Sequence, residues 1–375
     1  MKSECPDKDR CGSCSWSHIP YDKQLAQKLA DINGSFALKE LELQCKEILP
    51  SPQTSHYRNR MDFVINFEGL VGLREKGKWW RVIDGHTCFI ADERIEQLFH
   101  AVRTWTHNAE LSYFDRKRHH GFLRYAVIRS SSLGETMINI VTSAPSGKDQ
   151  EQQAQDKLSA LAEGIGATTV LWSINHTVTD VSFGDEIRTI AGSGYIEEQI
   201  GDYRYRITPN AFFQTNPSAA RLLMETVLEF AGSAKIDTAL DLYCGSGFFS
   251  IPLSQIAARV VGVEVVEEAV RDARVNAELN RVEIEFHDAR TEKFDWQQYN
   301  PDLLILDPPR SGMHDDALRD VVKSKPKRIV YVSCNHKHFA REMQTLGEIY
   351  QVSEMCAIDM FPHTPHVELV SLLTR

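Results

Sequence analysis

Arg328–Asn335 (RIVYVSCN) is an apolar run that ends in a cysteine, and Cys334 stands just beyond its last apolar residue, between Ser333 and Asn335. A thiol in such a place is either an inert buried group or a nucleophile, and the thiolate is the form that attacks carbon. Leu303–Arg310 (LLILDPPR) ends similarly in Asp307, followed by two prolines that stiffen the loop beyond it. Phe361–Leu369 (FPHTPHVEL) puts Glu368 early in an apolar run, where a carboxylate is costly unless it has a partner or a task. A nucleophile with a nearby carboxylate is what covalent catalysis followed by proton removal requires. His363 and His366 precede Glu368 and either shape its loop or join the site.

A fourth stretch, Asp241–Ser250 (DLYCGSGFFS), reads as a strand turning into a helix through Gly245 and Gly247. Glycines there let the backbone approach a ligand closely, and the helix start beyond favours polar groups. Glu264, about 20 residues on at the end of the next strand, is placed to accept bonds from ribose hydroxyls. Asp288, after the third strand, falls where an adenine would be contacted, although a plain surface turn explains it equally well. A dinucleotide site wants a third glycine where Ser250 stands, so S-adenosylmethionine is favoured over NAD.

Three of the eight cysteines crowd the N-terminus as Cys5, Cys11 and Cys14. With Cys88 as a distant fourth, the spacing suits zinc or a 4Fe-4S cluster, since both take four thiolates. Cys45, in LELQCKEIL, is the rival fourth ligand but reads as core.

These residues need a frame. From about residue 235 the pattern alternates: strand 238–243, helix 249–257, strand 260–263, helix 266–279, then strands 284–287 and 303–306. Helix 315–322, strand 328–332 and helix 336–346 follow. That rhythm predicts a doubly wound, mostly parallel sheet. Strands 351–358 and 367–373 have no helix between them and predict an antiparallel hairpin at its end. Residues 55–200 give strands at 61–67, 122–130, 136–142 and 168–174 with a helix near 151–163, which predicts an α+β domain. The expected division is therefore 1–200 and 201–375.

The chain carries 42 Lys and Arg against 52 Asp and Glu, a net charge of -10, so any nucleic-acid contact must come from local basic patches. His56–Met61 (HYRNRM) and Arg116–Tyr125 (RKRHHGFLRY) mix cations with aromatics and are the candidates, with a solvated basic face as the plain alternative. No apolar stretch is long enough to span a membrane and no secretory leader is read, so a cytoplasmic protein, expected to be monomeric, is predicted.

DLYCGSG, LDPPRSG, VYVSCN and FPHTPHVE, in this order, with NAFFQTN at 210–216, resemble the RNA 5-methyluridine methyltransferases. The resemblance implies an α/β fold, a Rossmann-like methyltransferase domain following an N-terminal domain with a 4Fe-4S cluster on Cys5, Cys11, Cys14 and Cys88. It implies Cys334 as the nucleophile that adds to uracil C6 and Glu368 as the base that removes the C5 proton. Gln214, Tyr243, Glu264 and Asp307 would bind S-adenosylmethionine, with Gly245, Gly247 and Asp288 as read above. Phe248 departs from the family, some of whose members carry Asn there, and Arg310 would order the DPP loop. Phe212, Phe213 or the MFPHTPH loop would line a pocket for the flipped uridine. Many relatives carry a TRAM barrel before the cysteines, and here the cysteines begin at residue 5. The pattern is most similar to the short 23S rRNA enzymes. The alternatives are the same chemistry on the T-loop uridine of tRNA, whose enzymes were expected to lack the cluster, and a non-catalytic RNA-binding or ribosome-assembly factor.

Overall fold

The computed structural model describes residues 5–85, 88–232 and 235–375. The chain divides into two compact units, each assembled from separated segments. The first comprises Met1–His18, Thr54–Gln199 and Arg206–Asn210, and the second Ile19–Gln53, Ile200–Tyr205 and Ala211–Arg375. Residues 19–53, expected with the N-terminal domain, thus group with the C-terminal unit. Helix α1 (Tyr21–Ala37) explains why: its buried residues Gln24, Lys28, Ile32, Ser35 and Phe36 form one stripe at helical spacing. That stripe packs on the C-terminal unit, where Phe36 lies 6.0 Å from Phe339 and Ser35 Oγ is 2.7 Å from His336 Nδ1.

The second unit is built on eight strands. They are β1 (Ile48–Leu49), β2 (Ile236–Leu242), β3 (Ala257–Glu264), β4 (Glu285–Asp288), β5 (Leu303–Leu306), β6 (Arg328–Ser333), β7 (Gln351–Ile358) and β8 (Glu368–Thr374). Their order across the sheet is β1-β7-β8-β6-β5-β2-β3-β4. β2 to β6 are parallel neighbours, and β8 runs antiparallel between β6 and β7. β5 is buried at every residue, as expected for a strand covered on both faces. Helices α2 (Pro217–Ala231), α3 (Ser250–Leu253), α4 (Glu267–Leu279), α5 (Asp315–Ser324) and α6 (His336–Leu346) complete the unit. The parallel sheet and terminal hairpin expected from the sequence are both present.

Two elements differ from expectation. The helix expected over 249–257 is a single turn, because Ala257 already pairs with Ile236 and the sheet claims its residues. β1 was not expected at all. It is two residues long and exists only through its pairing with Ala357 and Ile358.

The first unit is a seven-stranded mixed sheet, in the order Lys78–Asp84, Val71–Glu75, Arg60–Ile65, Leu123–Ser130, Thr136–Ser143, Thr169–Asn175, Glu186–Ala191. Helices Glu93–Asn108 and Lys148–Ile165 supply Ile95, Phe99, Val102, Leu158 and Leu161 to its core. The α+β reading of this part is met, although the first of these helices was not expected from the sequence.

Candidate functional site

The parallel register decides where the chemistry gathers. Tyr243 follows β2, Glu264 ends β3, Asp288 ends β4, Asp307 follows β5 and Cys334 follows β6, so all five lie at the carboxyl edge of one sheet. That edge is where ligands bind in open α/β folds. β8 runs the other way, so its first residue, Glu368, enters at the same edge. Ser333 pairs with Leu369, the last pair of that antiparallel register, so Cys334 and Glu368 are the next residues beyond it on the two strands. Residues directly opposed in an antiparallel pair have Cα atoms about 4.5–5.5 Å apart.

Electrostatics ties these groups together. Burial pushes the Cys334 thiol up to about 12, with the carboxylates of Glu368 and Asp307 adding to the rise and Arg310 opposing it. Burial raises Glu368 well above the usual carboxylate range, Asp307 raises it further, and Arg310 again opposes. Asp307 is pushed up to about 8 by burial and by Asp241, and Asp241 to about 7 by its own burial. Arg310 is therefore the cation whose field favours the ionised forms of both Cys334 and Glu368, a role the sequence reading confined to ordering the loop. Its guanidinium lies 2.8 Å from His366 Nδ1, and its carbonyl accepts a bond from Asn335 Nδ2 at 3.0 Å. Asn335 also caps α6 by accepting from Lys337 N–H, so one side chain fixes Cys334's neighbour to the DPP loop.

The thiol gives a direct test. All eight cysteines are described, and Cys334 alone is not fully buried. With Cys334 held near 12, its alkylation by iodoacetamide is expected to rise about tenfold per pH unit between pH 7 and 9, followed by mass spectrometry of its peptide. In Glu368→Gln the charge that opposes the thiolate once Glu368 ionises is gone, so the thiol titrates lower and the rate rises most at the alkaline end of this range. A rate that levels off below pH 8 in the native protein contradicts both causes.

At the glycine loop, Tyr243, Gly245 and Gly247 have φ of 70°, 53° and 87°. A Cβ at Gly245 would meet no atom within 4 Å, so this glycine leaves open space at the edge instead of relieving a clash. The Glu264 carboxylate accepts from the N–H groups of Gly245 at 3.1 Å, Val265 at 2.7 Å and Val266 at 2.8 Å. It therefore fixes the loop while facing it. Asp288 is exposed and pairs in register with Glu264. Gln214 is half-buried, held between Phe213, which packs on Tyr205 and Phe248, and Asn216. Asn216 is wholly buried, caps α2 and donates to Ser51 Oγ and Met360 O. Phe248, the residue that departs from the family pattern, belongs to that aromatic cluster. Phe212 is 80% exposed, whereas Phe213 is buried, so only Phe212 of the two is free to meet an RNA base.

The loop before Glu368 is anchored by residues the sequence reading missed. Lys28 Nζ lies 2.5 Å from Asp359 Oδ1 and donates to Phe361 O at 3.1 Å, and both charged side chains are fully buried. Gln24 accepts from His363 N–H at 2.8 Å and contacts His363 Nδ1 at 3.1 Å. Two polar residues on the apolar stripe of a helix were the available signal. Beyond the DPP loop, buried Glu342 accepts from Met313 N–H at 3.0 Å and from the Tyr331 hydroxyl.

In the first unit, Cys5, Cys11, Cys14 and Cys88 are all buried, at 5–7% exposure. Burial raises Cys14, and the nearby thiols of Cys88, Cys11 and Cys5 raise it further. Burial likewise pushes Cys88 up to about 11, with Cys11 contributing. Four soft donors that feel one another in one buried place match the donor set of a cluster or of zinc. Among the described residues, however, no group of three or more His, Cys, Asp or Glu side chains is disposed to hold a metal ion. Cys45 lies in the core of the second unit, where its backbone N–H donates to Asn33 Oδ1 and its thiol to Glu47 O.

The basic stretches divide. Arg116, Lys117 and Arg118 are exposed, but Arg124 is buried and donates to the carbonyls of Thr177 and Thr179. Arg129 is fully enclosed. Asn59 is buried against Glu198, and Arg60 is paired with Asp62. Much of what reads as a basic face is thus internal bracing.

The family model described as tRNA (Uracil-5-)-methyltransferase matches residues 20–375. A tRNA (uracil(54)-C(5))-methyltransferase of Pyrococcus horikoshii is 36% identical over 372 residues, 99% of this chain and 85% of that protein. An uncharacterised RNA methyltransferase of Caldanaerobacter subterraneus is 36% identical over 100% of this chain and 85% of its own length. The crystal structure of the Pyrococcus abyssi tRNA (uracil-54, C5)-methyltransferase with S-adenosyl-L-homocysteine superposes with a TM-score of 0.81 at 34% identity. It covers 97% of this chain and 86% of that one.

Proposed function

The chain belongs to the tRNA (uracil-5-)-methyltransferase family, and on that premise we propose how its own residues carry an S-adenosylmethionine-dependent methylation of uracil C5 in RNA. The observation that carries the proposal is the convergence of Cys334 and Glu368 just beyond the last Ser333–Leu369 pair at the edge of the sheet, within electrostatic reach of each other and of Asp307 and Arg310. S-adenosylmethionine supplies an electrophilic methyl group when bound. Gln214, Tyr243, Gly245, Gly247, Glu264, Asp288 and Asp307 would hold it, and the open space before Gly245 fits that use. Cys334 Sγ, as the thiolate, bonds to C6 of the uracil, the C5–C6 electron pair moves to C5, and C5 takes the methyl group, leaving S-adenosylhomocysteine. Glu368 then accepts the C5 proton, the double bond re-forms and the sulfur–carbon bond breaks, returning the thiolate. Arg310 favours the ionised thiol and carboxylate on which both steps depend.

For the substrate, a tRNA uridine is the better supported reading. Relatives named for uracil 54 of tRNA align over 98–99% of this chain. The motif resemblance to the 23S rRNA enzymes keeps that RNA as the second reading. Anaerobically purified protein, labelled S-adenosylmethionine and unmodified total RNA, followed by separation of tRNA from rRNA, decide between them. Label recovered as 5-methyluridine in tRNA is expected, and label only in 23S rRNA transfers the activity there.

We also infer that Cys5, Cys11, Cys14 and Cys88 hold a 4Fe-4S cluster. It would tie the N-terminal loop to the segment after the strand Lys78–Asp84, and no step above passes an electron through it. Anaerobic protein is expected to contain about four iron atoms per chain with visible absorbance, both lost in Cys14→Ser. Zinc in place of iron would overturn the assignment.

A further inference from the structure

The first unit holds a second concavity that the methyl-transfer chemistry does not use. It has a volume of about 280 Å³, at the small end for ligand pockets, and its rim carries Phe67, Trp79 and Trp80 at 51%, 45% and 46% exposure. Large aromatic faces are rarely left open on a soluble surface without a use. The two indoles stand edge to face, with centroids 5.7 Å apart at 83°, so they present two differently oriented planes. The Arg116 guanidinium carbon sits 4.5 Å from the Trp79 ring, a cation–π contact. Asp180 holds both Arg116 and Arg74 at 2.6 Å, fixing two cations in position. The wall carries Arg74, Arg116, Lys117, Arg118 and Arg124 against Asp115 and Asp180 alone, an excess of three positive charges in a chain whose net charge is -10.

We propose that this pocket binds one unstacked base of a single-stranded RNA segment, with the neighbouring phosphates on the Arg116–Arg118 cations. Exposed rings beside fixed cations are what sequence-tolerant binding of single strands uses: a planar base stacks on the ring and its backbone charge is met nearby. The pocket's small size suits one base, and its charge disfavours a cationic partner while favouring the phosphates that flank a base. The identity of the ligand rests on the RNA methyltransferase reading.

The test measures binding of a fluorescently labelled heptamer of adenosines to the full-length protein at low and moderate salt. The same strand paired into a duplex and a polyglutamate peptide serve as comparisons. Single-strand binding should weaken about tenfold in Trp79→Ala, the order expected for one lost stacking partner, while Trp79→Phe keeps the ring face and stays close to native. Affinity for S-adenosylmethionine, measured by calorimetry, should not move, which separates a lost pocket from a misfolded chain. Equal binding by native protein and Trp79→Ala, or a preference for duplex or polyglutamate, overturns the proposal. If the pocket binds as stated but no RNA accepts a methyl group, the methyltransferase reading fails and the pocket stands. If RNA is methylated with an unchanged KM in Trp79→Ala, the pocket fails and the methyltransferase reading stands.

Discussion

Cys334→Ala is expected to eliminate methyl transfer to RNA, by a factor on the order of 10⁴ or more, with the fold and the affinity for S-adenosylmethionine retained. Without a bond to C6 nothing raises the electron density at C5. Glu368→Gln should behave differently. The thiol, freed from a carboxyl group that opposes its ionisation, still adds to C6, but the C5 proton has no acceptor, so a covalent protein–RNA species accumulates. A denaturing gel with labelled RNA reads both outcomes. A slow-migrating band should appear in Glu368→Gln, be absent in Cys334→Ala, and be absent again in the double variant. Full turnover by Cys334→Ala would remove the nucleophile and with it the mechanism. Rapid turnover without a band in Glu368→Gln would assign the proton to another group, the first alternative being His366 beside Arg310.

Much of this site was legible in the sequence because its residues end strands. Apolar runs closing in Asp307 and Cys334, and one opening at Glu368, fix the edge of the sheet by pattern alone, since strand direction follows from alternation with helices. β5, α6 and β7 occupy the residues their periodicity predicts. What was not legible depends on contacts distant in sequence. Helix α1 carries a readable stripe, yet nothing local says that it belongs with a sheet whose parallel strands begin some 200 residues later. β1 is too short to have a period. Arg124 looked like an RNA contact because composition cannot distinguish a cation facing water from one enclosed by carbonyls. The helix expected over 249–257 was overestimated for a related reason: Ala257 is a good helix former, and its pairing with Ile236 of β2 overrides that preference.

The same distant contacts support the second large prediction. Lys28→Met is expected to destabilise the protein by about 3–5 kcal/mol, because it leaves the Asp359 carboxylate fully buried without its cation. Burial lowers the Lys28 ammonium below its usual range, and Asp359 opposes that fall, so the pair compensates part of a desolvation cost that neither member can bear alone. Replacing both, as Lys28→Met with Asp359→Leu, should recover most of the loss, since an apolar pair of similar volume carries no buried charge. Denaturant midpoints of the two single variants and the double variant give the coupling directly. A single variant that costs under about 1 kcal/mol would mean that water reaches the pair and that it is not buried as described. The consequence for chemistry follows from position. Asp359 ends the segment whose other end is Glu368, and Lys28 also donates to Phe361 O within it. Both variants lacking the Lys28 contact should therefore let the base drift from C5, and the covalent RNA species should accumulate even in the double variant, where stability has returned. An adduct in the stable double variant identifies Lys28 as a positioning residue for Glu368, whereas its absence confines the ion pair to holding the fold.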